Sequence, residues 1–512
     1  MNAKHSPSTG KCLLTLLGLV IFAQLSPAQE AWREGRNIAG LAREAAPTGQ
    51  TANAVIGGQF TSGGFRSPSD GSTLWTGLAQ ASAEARFEDL FLTGNFGFEL
   101  TRGNEMMGSM FTHPGYYPVD ILEFTPGVKL RQTYDIGGGM AWKNASRWTP
   151  GATIRFQGTN YAKRKDLRHT TYRQELEVVP SVAYSGDGWT AGLSYVFSKT
   201  SEFITAEQVG QAKAESYTAF LDKGLLFGTL QAWDGSGVHL KEAGVDRFPV
   251  KEFTHGVALQ ASLGKVLYAD VEYDWTRGEA GEKAYIWFRF PGARCSASLV
   301  GTLSGSSGIH RLKASWEWTK QENYETVLEK VTEGGVTTPV EYGSNRIWQR
   351  RTLDFSPSYR FVHQKGWSAG ALLDVEYDKY RITCMYPYVY RHEPLYLRGM
   401  LHGEVPVGAF LIRGAAQFSA AVAQNDASKT VADESLGVSS TPFRLSEWWA
   451  MEQEWQDAPR LSLSLELRYN FLVGRNVPLY VEAGCQFTQA FRITALPGSR
   501  RQTTHLTIGY SF

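Results

Sequence analysis

Beyond its first thirty residues the chain lacks any apolar run long enough to cross a bilayer as a helix, which takes about 20 consecutive apolar residues. Cysteine is scarce, with 4 in 512 residues. Cys12, Cys295, Cys384 and Cys485 are too widely spaced for a disulfide framework or a metal-ligand set. Cys295 and Cys485 fall on apolar strand faces, where a cysteine acts as a small hydrophobe. Charge of either sign is not in excess: 51 basic against 50 acidic residues leave a net charge of +1. Bulk electrostatics therefore give no nucleic-acid partner. Catalytic motifs are also missing. There is no G-x-S-x-G, no H-E-x-x-H and no Walker A sequence, and His392-Glu393 lacks its second histidine. No cofactor or metal is implied, and the expectation is that the chain is not an enzyme.

What is present begins with an export signal. Lys4 and Lys11 form a positive start, and Leu13 to Leu25 is an apolar stretch of about a dozen residues. Ser26-Pro27-Ala28 supplies small residues for cleavage after Ala28, so residues 1–28 read as a signal peptide. Cys12 precedes the apolar run, which excludes it as a lipoprotein acceptor. Aromatics make up 13% of the chain, with 15 Trp and 23 Tyr, beside 53 Gly, at a mean hydropathy of −0.28. An ordinary soluble protein rarely needs so many Trp and Tyr, whereas a membrane barrel uses them as interfacial girdles.

The remaining chain alternates with a period of two, not the 3.6 of a helix. Leu267, Ala269, Val271, Tyr273 and Trp275 alternate with Tyr268, Asp270, Glu272, Asp274 and Thr276. Trp367 to Tyr377 interleaves with Asp374, Glu376 and Asp378, and Leu461 to Phe471 with Ser462, Ser464, Glu466, Arg468 and Asn470. Short turns are expected at Glu88-Asp89, Lys143 to Trp148, Ser185 to Gly188, Gly264-Lys265, Gly305 to Gly308, His363 to Gly366, Glu404 to Pro406 and Gly474 to Asn476. Longer connections fall at Gly103 to Pro126, Ser201 to Val250, Asn323 to Asn345 and Gln424 to Pro459, with Tyr217 to Trp233 able to add strands. Short turns on one side and long loops on the other are the asymmetry of outer-membrane barrels. The fold class is all-β: a transmembrane antiparallel up-and-down β-barrel spanning 51–512, of about 18 strands, within a range of roughly 16 to 20. Trp142, Trp148, Trp189 and Trp367 beside short turns, and Trp275, Trp318 and Trp348 at the other strand ends, are expected to form two interfacial belts.

Alternation also selects the lumen face. Candidates are Asp270, Glu272, Asp274, Arg311, Lys313, Arg350, Asp374, Glu376 and Asp378, with Arg155, Arg360, Arg398, Arg413 and Arg468 as further bases. They either line a mixed-charge pore or pair with one another and stiffen the interior. One hairpin register sets Asp378 opposite Arg350 and Asp374 opposite Asp354; a slip of two residues changes those partners. His255 and Asp274 lie near one rim but differ in parity, so they should face opposite sides of the wall. His402 and His505 face the lumen singly.

Leu506, Ile508, Tyr510 and Phe512 share the apolar face of the last strand, which resembles the closing strand and assembly signal of bacterial outer-membrane barrels. That strand is expected to pair with the one near Asn53 to Phe65. Most of the chain resembles uncharacterised outer-membrane barrels of Gram-negative gut-type bacteria, a family of domains of unknown function. Arg36-Asn37-Ile38-Ala39-Gly40-Leu41-Ala42 resembles the Asn-Pro-Ala-Gly-Leu-type start of long-chain fatty-acid transporter-like barrels, with Ile38 in place of the proline. That resemblance implies that residues 29–50 form a small hatch in the lumen. Only about twenty residues separate the cleavage point from the first strand, too few for the plug domain of energy-coupled receptors or for periplasmic modules.

Two functional classes follow: a pore that passes solutes across the outer membrane, or a non-transporting barrel that presents loops to a surface lipoprotein or other partner. The barrel reading also implies outer-membrane lipid and the barrel-assembly machinery as partners. Gln208 to Pro249, and Ser440 to Pro459 with Trp448, Trp449 and Trp455, suit partner anchoring, packing over the barrel mouth or packing onto the outer bilayer rim.

Overall fold

The computed structural model describes residues 27–44, 48–143, 146–207, 217–233, 248–282, 285–382, 390–427, 435–438, 441–474 and 477–511. The segment expected to be a signal peptide, residues 1–28, therefore lies outside the described residues except for its last two positions, as do Cys12, Cys384 and Phe512.

Two short helices, α1 (Pro27–Glu34) and α2 (Ile38–Glu44), precede the first strand. Seven strands follow: β1 (Gly49–Gly63), β2 (Thr73–Arg86), β3 (Leu90–Ser109), β4 (Asp120–Trp142), β5 (Trp148–Lys163), β6 (Arg168–Ser185) and β7 (Trp189–Glu207). β8 (Tyr217–Asp222) and β9 (Gly228–Trp233) form a hairpin outside the wall sequence. The wall resumes with β10 (Phe248–Leu263), β11 (Leu267–Glu282), β12 (Tyr285–Ser304), β13 (Gly308–Glu333), β14 (Val336–His363), β15 (Ser368–Ile382), β16 (Tyr390–Val407) and β17 (Phe410–Ala427). After a second loop hairpin, β18 (Ser435–Val438) and β19 (Thr441–Arg444), comes helix α3 (Leu445–Asp457). β20 (Arg460–Val473), β21 (Val477–Ala490) and β22 (Arg500–Ser511) complete the wall.

Every wall strand pairs antiparallel with its sequence neighbour, and β22 pairs with β1 from Asn53↔Ser511 to Gly63↔Arg501. The result is a closed barrel of 18 strands. Closure satisfies every edge, as a sheet standing in hydrocarbon requires. Side chains sort by parity. Leu259, Val271, Leu299, Leu373, Leu465, Leu506 and Ile508 are exposed on the outside, while Glu272, Asp274, Glu376, Asp378, Thr503 and Thr507 are buried on the inside.

Several local expectations need correction. The turn between β16 and β17 is at Gly408-Ala409 and not at Glu404 to Pro406. Gly408 adopts φ +62, which a tight turn requires, and Glu404 stays in the ladder opposite Arg413. Asn323 to Asn345 is not a loop: β13 and β14 run on as a two-stranded ribbon to a Gly334-Gly335 turn. Tyr217 to Trp233 forms strands, but they cover the mouth and do not enter the wall. Trp348 does not belong to a lipid-facing belt. It is 2% exposed on the inner face, and its indole N–H donates to the Pro118 carbonyl at 3.3 Å.

The largest apolar cluster lies at the long-loop end and closes over the lumen. Met110, Phe111, Tyr117, Phe124, Phe220, Trp348, Leu445 and Trp448 are among its buried members. Phe124 and Trp448 meet edge to face at 5.2 Å, and Trp449 packs against the same cluster. Trp448 and Trp449 thus pack over the mouth, while Trp455 packs against a separate cluster of Phe65, Ala458, Ala490 and Leu496.

Candidate functional site

The other end of the lumen, beside the short turns, holds α1 and α2. Asn37 caps α2, accepting the Gly40 N–H at 2.8 Å on its side-chain oxygen and the Leu41 N–H at 3.1 Å on its carbonyl. Trp32, Ile38, Ala39, Leu41 and Ala42 are buried. The Trp32 ring lies over Gly40, where any Cβ would collide with it, and meets Tyr268 edge to face at 5.3 Å. Ile38 fits the wall because Gly139 and Gly151 carry no side chain there; a Cβ on either would stand 2.5 to 2.8 Å from it.

Polar contacts distribute this plug around the wall. Arg33 pairs with Glu84 of β2 at 2.6 Å. Arg36 reaches Glu177 of β6 at 2.5 Å and Glu272 of β11 at 3.1 Å. On β13, Arg311 pairs with Glu30 at 2.6 Å and Glu34 at 2.9 Å, and Lys313 pairs with Glu34 at 2.6 Å. Asn37 donates to the Val182 carbonyl and to Gln260, both at 3.2 Å. Arg43 donates to the carbonyls of Ser146 and Trp148 in the turn before β5.

The nine lumen residues selected from sequence divide between this plug and the wall itself. Glu272, Arg311 and Lys313 contact the plug directly. Asp270 accepts from the Tyr268 hydroxyl at 3.5 Å, beside Trp32. Asp274 joins Glu272 around Arg294, at 2.9 and 3.0 Å, and Arg294 also reaches Glu317 at 3.0 Å. Arg350 pairs with Asp378 at 2.6 Å, and Arg398 pairs with Asp374 and with Glu376, the latter at 2.5 Å.

The Arg350–Asp378 pair forms, but in a register two residues away from the one that sets them directly opposite. The four-residue connection after His363, closed by the His363 N–H to the Trp367 carbonyl at 2.9 Å, aligns Thr352 with Asp378 and Asp354 with Glu376. Arg350 reaches Asp378 diagonally. Asp354 and Asp374 both accept from Ser356. Carboxylate oxygens of Asp354, Asp374 and Glu376 lie within 4.8 Å of one another, and the guanidinium of Arg398 already compensates two of them.

His255 and Asp274 do not meet. His255 stacks on Trp275 at 5.7 Å and shares a 2.6 Å hydrogen bond with Tyr195 on the outer face, whereas Asp274 is buried inside. Arg294 and Glu317 were not selected from sequence, although the parity of Ala293, Arg294 and Cys295 marks Arg294 as inward. Alternation marks Glu84, Glu177 and Gln260 as inward too, but their role depends on where the helices dock.

The chain matches the DUF6850 family, described as a family of unknown function, over residues 40–512. It belongs to that family. No curated protein matches it. Among solved structures, the family member is similar to the ferric preacinetobactin receptor BauA from Acinetobacter baumannii, at 9% identity over 91% of this chain and 80% of that one, with a TM-score of 0.40. The copper transporter OprC has 8% identity, coverage of 91% and 81%, and a TM-score of 0.41. The RagAB peptide transporter has 10% identity, coverage of 86% and 72%, and a TM-score of 0.42. At such scores the barrel assignment rests on the strand pairing of this chain alone.

Proposed function

We propose that this DUF6850 protein is an integral outer-membrane barrel that passes a solute, with residues 29–50 acting as a hatch at the short-turn end. The supporting observation is the way α1 and α2 are held. Their fixings are side-chain ion pairs to at least four different wall strands, and the Glu34 latch is partly exposed to solvent. These pairs and the packing of Trp32 and Ile38 lie outside the strand ladder, so the plug can leave without breaking the wall. An outward face bearing Leu, Val, Ile and aromatic side chains all round supports insertion in lipid. No catalytic role is assigned to any residue.

Planar-bilayer recording tests the reading. Full-length protein should conduct rarely and in brief steps, and protein lacking residues 29–44 should open more often, with the cap over the long-loop end left as the remaining barrier. Absence of conductance from both, with heat-modifiable migration showing both folded, rejects the passage function.

One observation favours the second class, a barrel that presents a surface to a partner. Among the described residues no strand pairs with the β13–β14 ribbon beyond Glu325 and Trp348, and Val327, Val336 and Tyr342 on it are exposed. A surface lipoprotein seated on this ribbon would be lost on deleting residues 328–341 while the barrel stayed intact.

A further inference from the structure

A recess in the lumen wall between β14 and β20 has unused hydrogen-bond donors. It encloses a cavity of about 40 Å³, bordered by Arg360, Ser368, His402, Glu404, Arg413 and Glu466. Three nitrogens of these residues are buried without a hydrogen-bond partner: Arg360 Nε, Arg413 Nη2 and His402 Nδ1, the last a donor in the tautomer that carries its proton there. Arg413 is itself 6% exposed.

Glu404, Glu466 and one oxygen of Glu482 are, by contrast, engaged, while Glu482 Oε1 is buried without a hydrogen bond. Arg413 Nε donates to Glu404 at 2.9 Å, and its Nη1 donates to Glu482 at 2.9 Å and Glu466 at 3.4 Å. Arg468 donates to Glu482 at 2.8 Å. Arg360 has no ion-pair partner among the described residues, and the residue beside it on β13 is another arginine, Arg311. Buried donors left unpaired are costly, by about 1–3 kcal/mol each. What the recess still needs is an acceptor of negative charge. Gly370, next to both Arg360 and His402 in the ladder, keeps the recess open, because a Cβ there would stand 2.5 Å from the His402 ring.

We propose that this recess binds the carboxylate group of a small organic acid, with Arg360 as the principal charge and His402 and Arg413 as further donors. Size supports a carboxylate over a larger oxyanion. A buried water takes roughly 10–15 Å³ of such space, so the cavity accommodates about three heavy atoms, the number in a carboxylate group. The remainder of the acid would extend into the lumen. Binding here does not depend on the barrel conducting.

The test uses full-length protein folded in detergent and carbon-13 acetate, observed by NMR line broadening, with inorganic phosphate as competitor. Saturable broadening is expected, reduced at least tenfold in apparent affinity by Arg360→Gln and also reduced by Gly370→Ala, which crowds His402 without changing charge. Phosphate should compete poorly. Heat-modifiable migration confirms that each variant is folded. No saturable broadening in the wild type, or equal broadening in wild type and Arg360→Gln, overturns the site; displacement by phosphate as effective as by unlabelled acetate overturns its carboxylate preference.

Discussion

Lys313 Nζ on β13 lies 2.6 Å from Glu34 Oε2, the last residue of α1. Arg311, two residues earlier on the same inner face, holds the other oxygen of that carboxylate at 2.9 Å. One carboxylate thus joins the end of a helix to two neighbouring bases of the wall, and both bases were selected from sequence as lumen residues. Their partner was not, because strand alternation shows which way a side chain points without showing what docks against it.

Glu34→Gln should loosen the plug while leaving the barrel unchanged. Glu34 is 41% exposed, so each of its pairs contributes only about 0.2–1 kcal/mol. Amide exchange across residues 30–44 should quicken several-fold, and strand amides of β13 should be unaffected. Unchanged exchange in α1 and α2 would show that the latch contributes nothing.

Trp32→Ala should act more strongly on the same segment. Trp32 is fully buried against Gly40 and Tyr268, and truncating a buried aromatic side chain costs about 3–5 kcal/mol. Limited proteolysis should then cut between residues 30 and 44 under conditions that spare the native plug. Gly40→Val should reproduce the effect from the other side of the contact.

These two substitutions mark where sequence reading succeeded and where it stopped. Period-two alternation from Leu267 to Trp275 and from Leu461 to Phe471 sufficed for the wall and its two faces, since a strand in lipid must hide its polar side. The sequence leaves the register of β14 on β15 open by two residues because parity is identical in both registers, and only the conformation of the turn after His363 decides between them. Trp348 was misplaced for a related reason. An aromatic at a strand end suits an interfacial belt, but its even number in β14 puts it inside with Arg350 and Asp354. The donor-rich recess at Arg360 involves β14, β15, β16, β17 and β20, so no single stretch of sequence carries it.

Substitution on the outer face should depend on depth. Leu465 is exposed in the middle of β20, and Val473 lies on the same face at the turn. Leu465→Arg should destabilise the barrel in vesicles by about 2–4 kcal/mol, and Val473→Arg by about 0–1 kcal/mol. Denaturant unfolding monitored by Trp fluorescence measures both, and equal effects would contradict a lipid-facing band.

Removing Phe512 should slow assembly without altering the completed wall. Leu506 and Ile508 face outward, and the ladder from β22 to β1 reaches Ser511 without it. Pulse-labelled cells should accumulate the unfolded, heat-unmodified form of the truncated chain. Normal assembly kinetics would mean that the last residue is no signal.

The cap over the long-loop end should loosen as pH rises from about 4 to 7. Asp120 of β4 and Asp222 of β8 are direct ladder partners, and Glu452 of α3 lies close enough to repel both. None of the three has an ion-pair partner among the described residues. Burial is the main cause of their upward pKa shifts: Asp222 is pushed up to about 7, Asp120 well above the usual carboxylate range, and Glu452 also upward. Hydrogen bonds to Asp120 from Ser109 at 2.8 Å, to Asp222 from the Gly224 N–H at 2.8 Å and to Glu452 from the Trp448 indole at 3.2 Å oppose that effect without cancelling it. A carboxyl with a raised folded-state pKa binds its proton more tightly when packed than when released. Its contribution is therefore complete below the unfolded value near 4 and is lost as pH climbs through the folded value near 7. Amide exchange in residues 217–222 and 228–233 should speed up by at least about tenfold between pH 4 and pH 7 after correction for intrinsic rates. Asp222→Asn should flatten part of that dependence, because an amide keeps the size of the carboxyl and cannot ionise, and Asp120→Asn on the same background should flatten more of it. A cap whose corrected protection is the same at both pH values would show that these carboxyls do not control it.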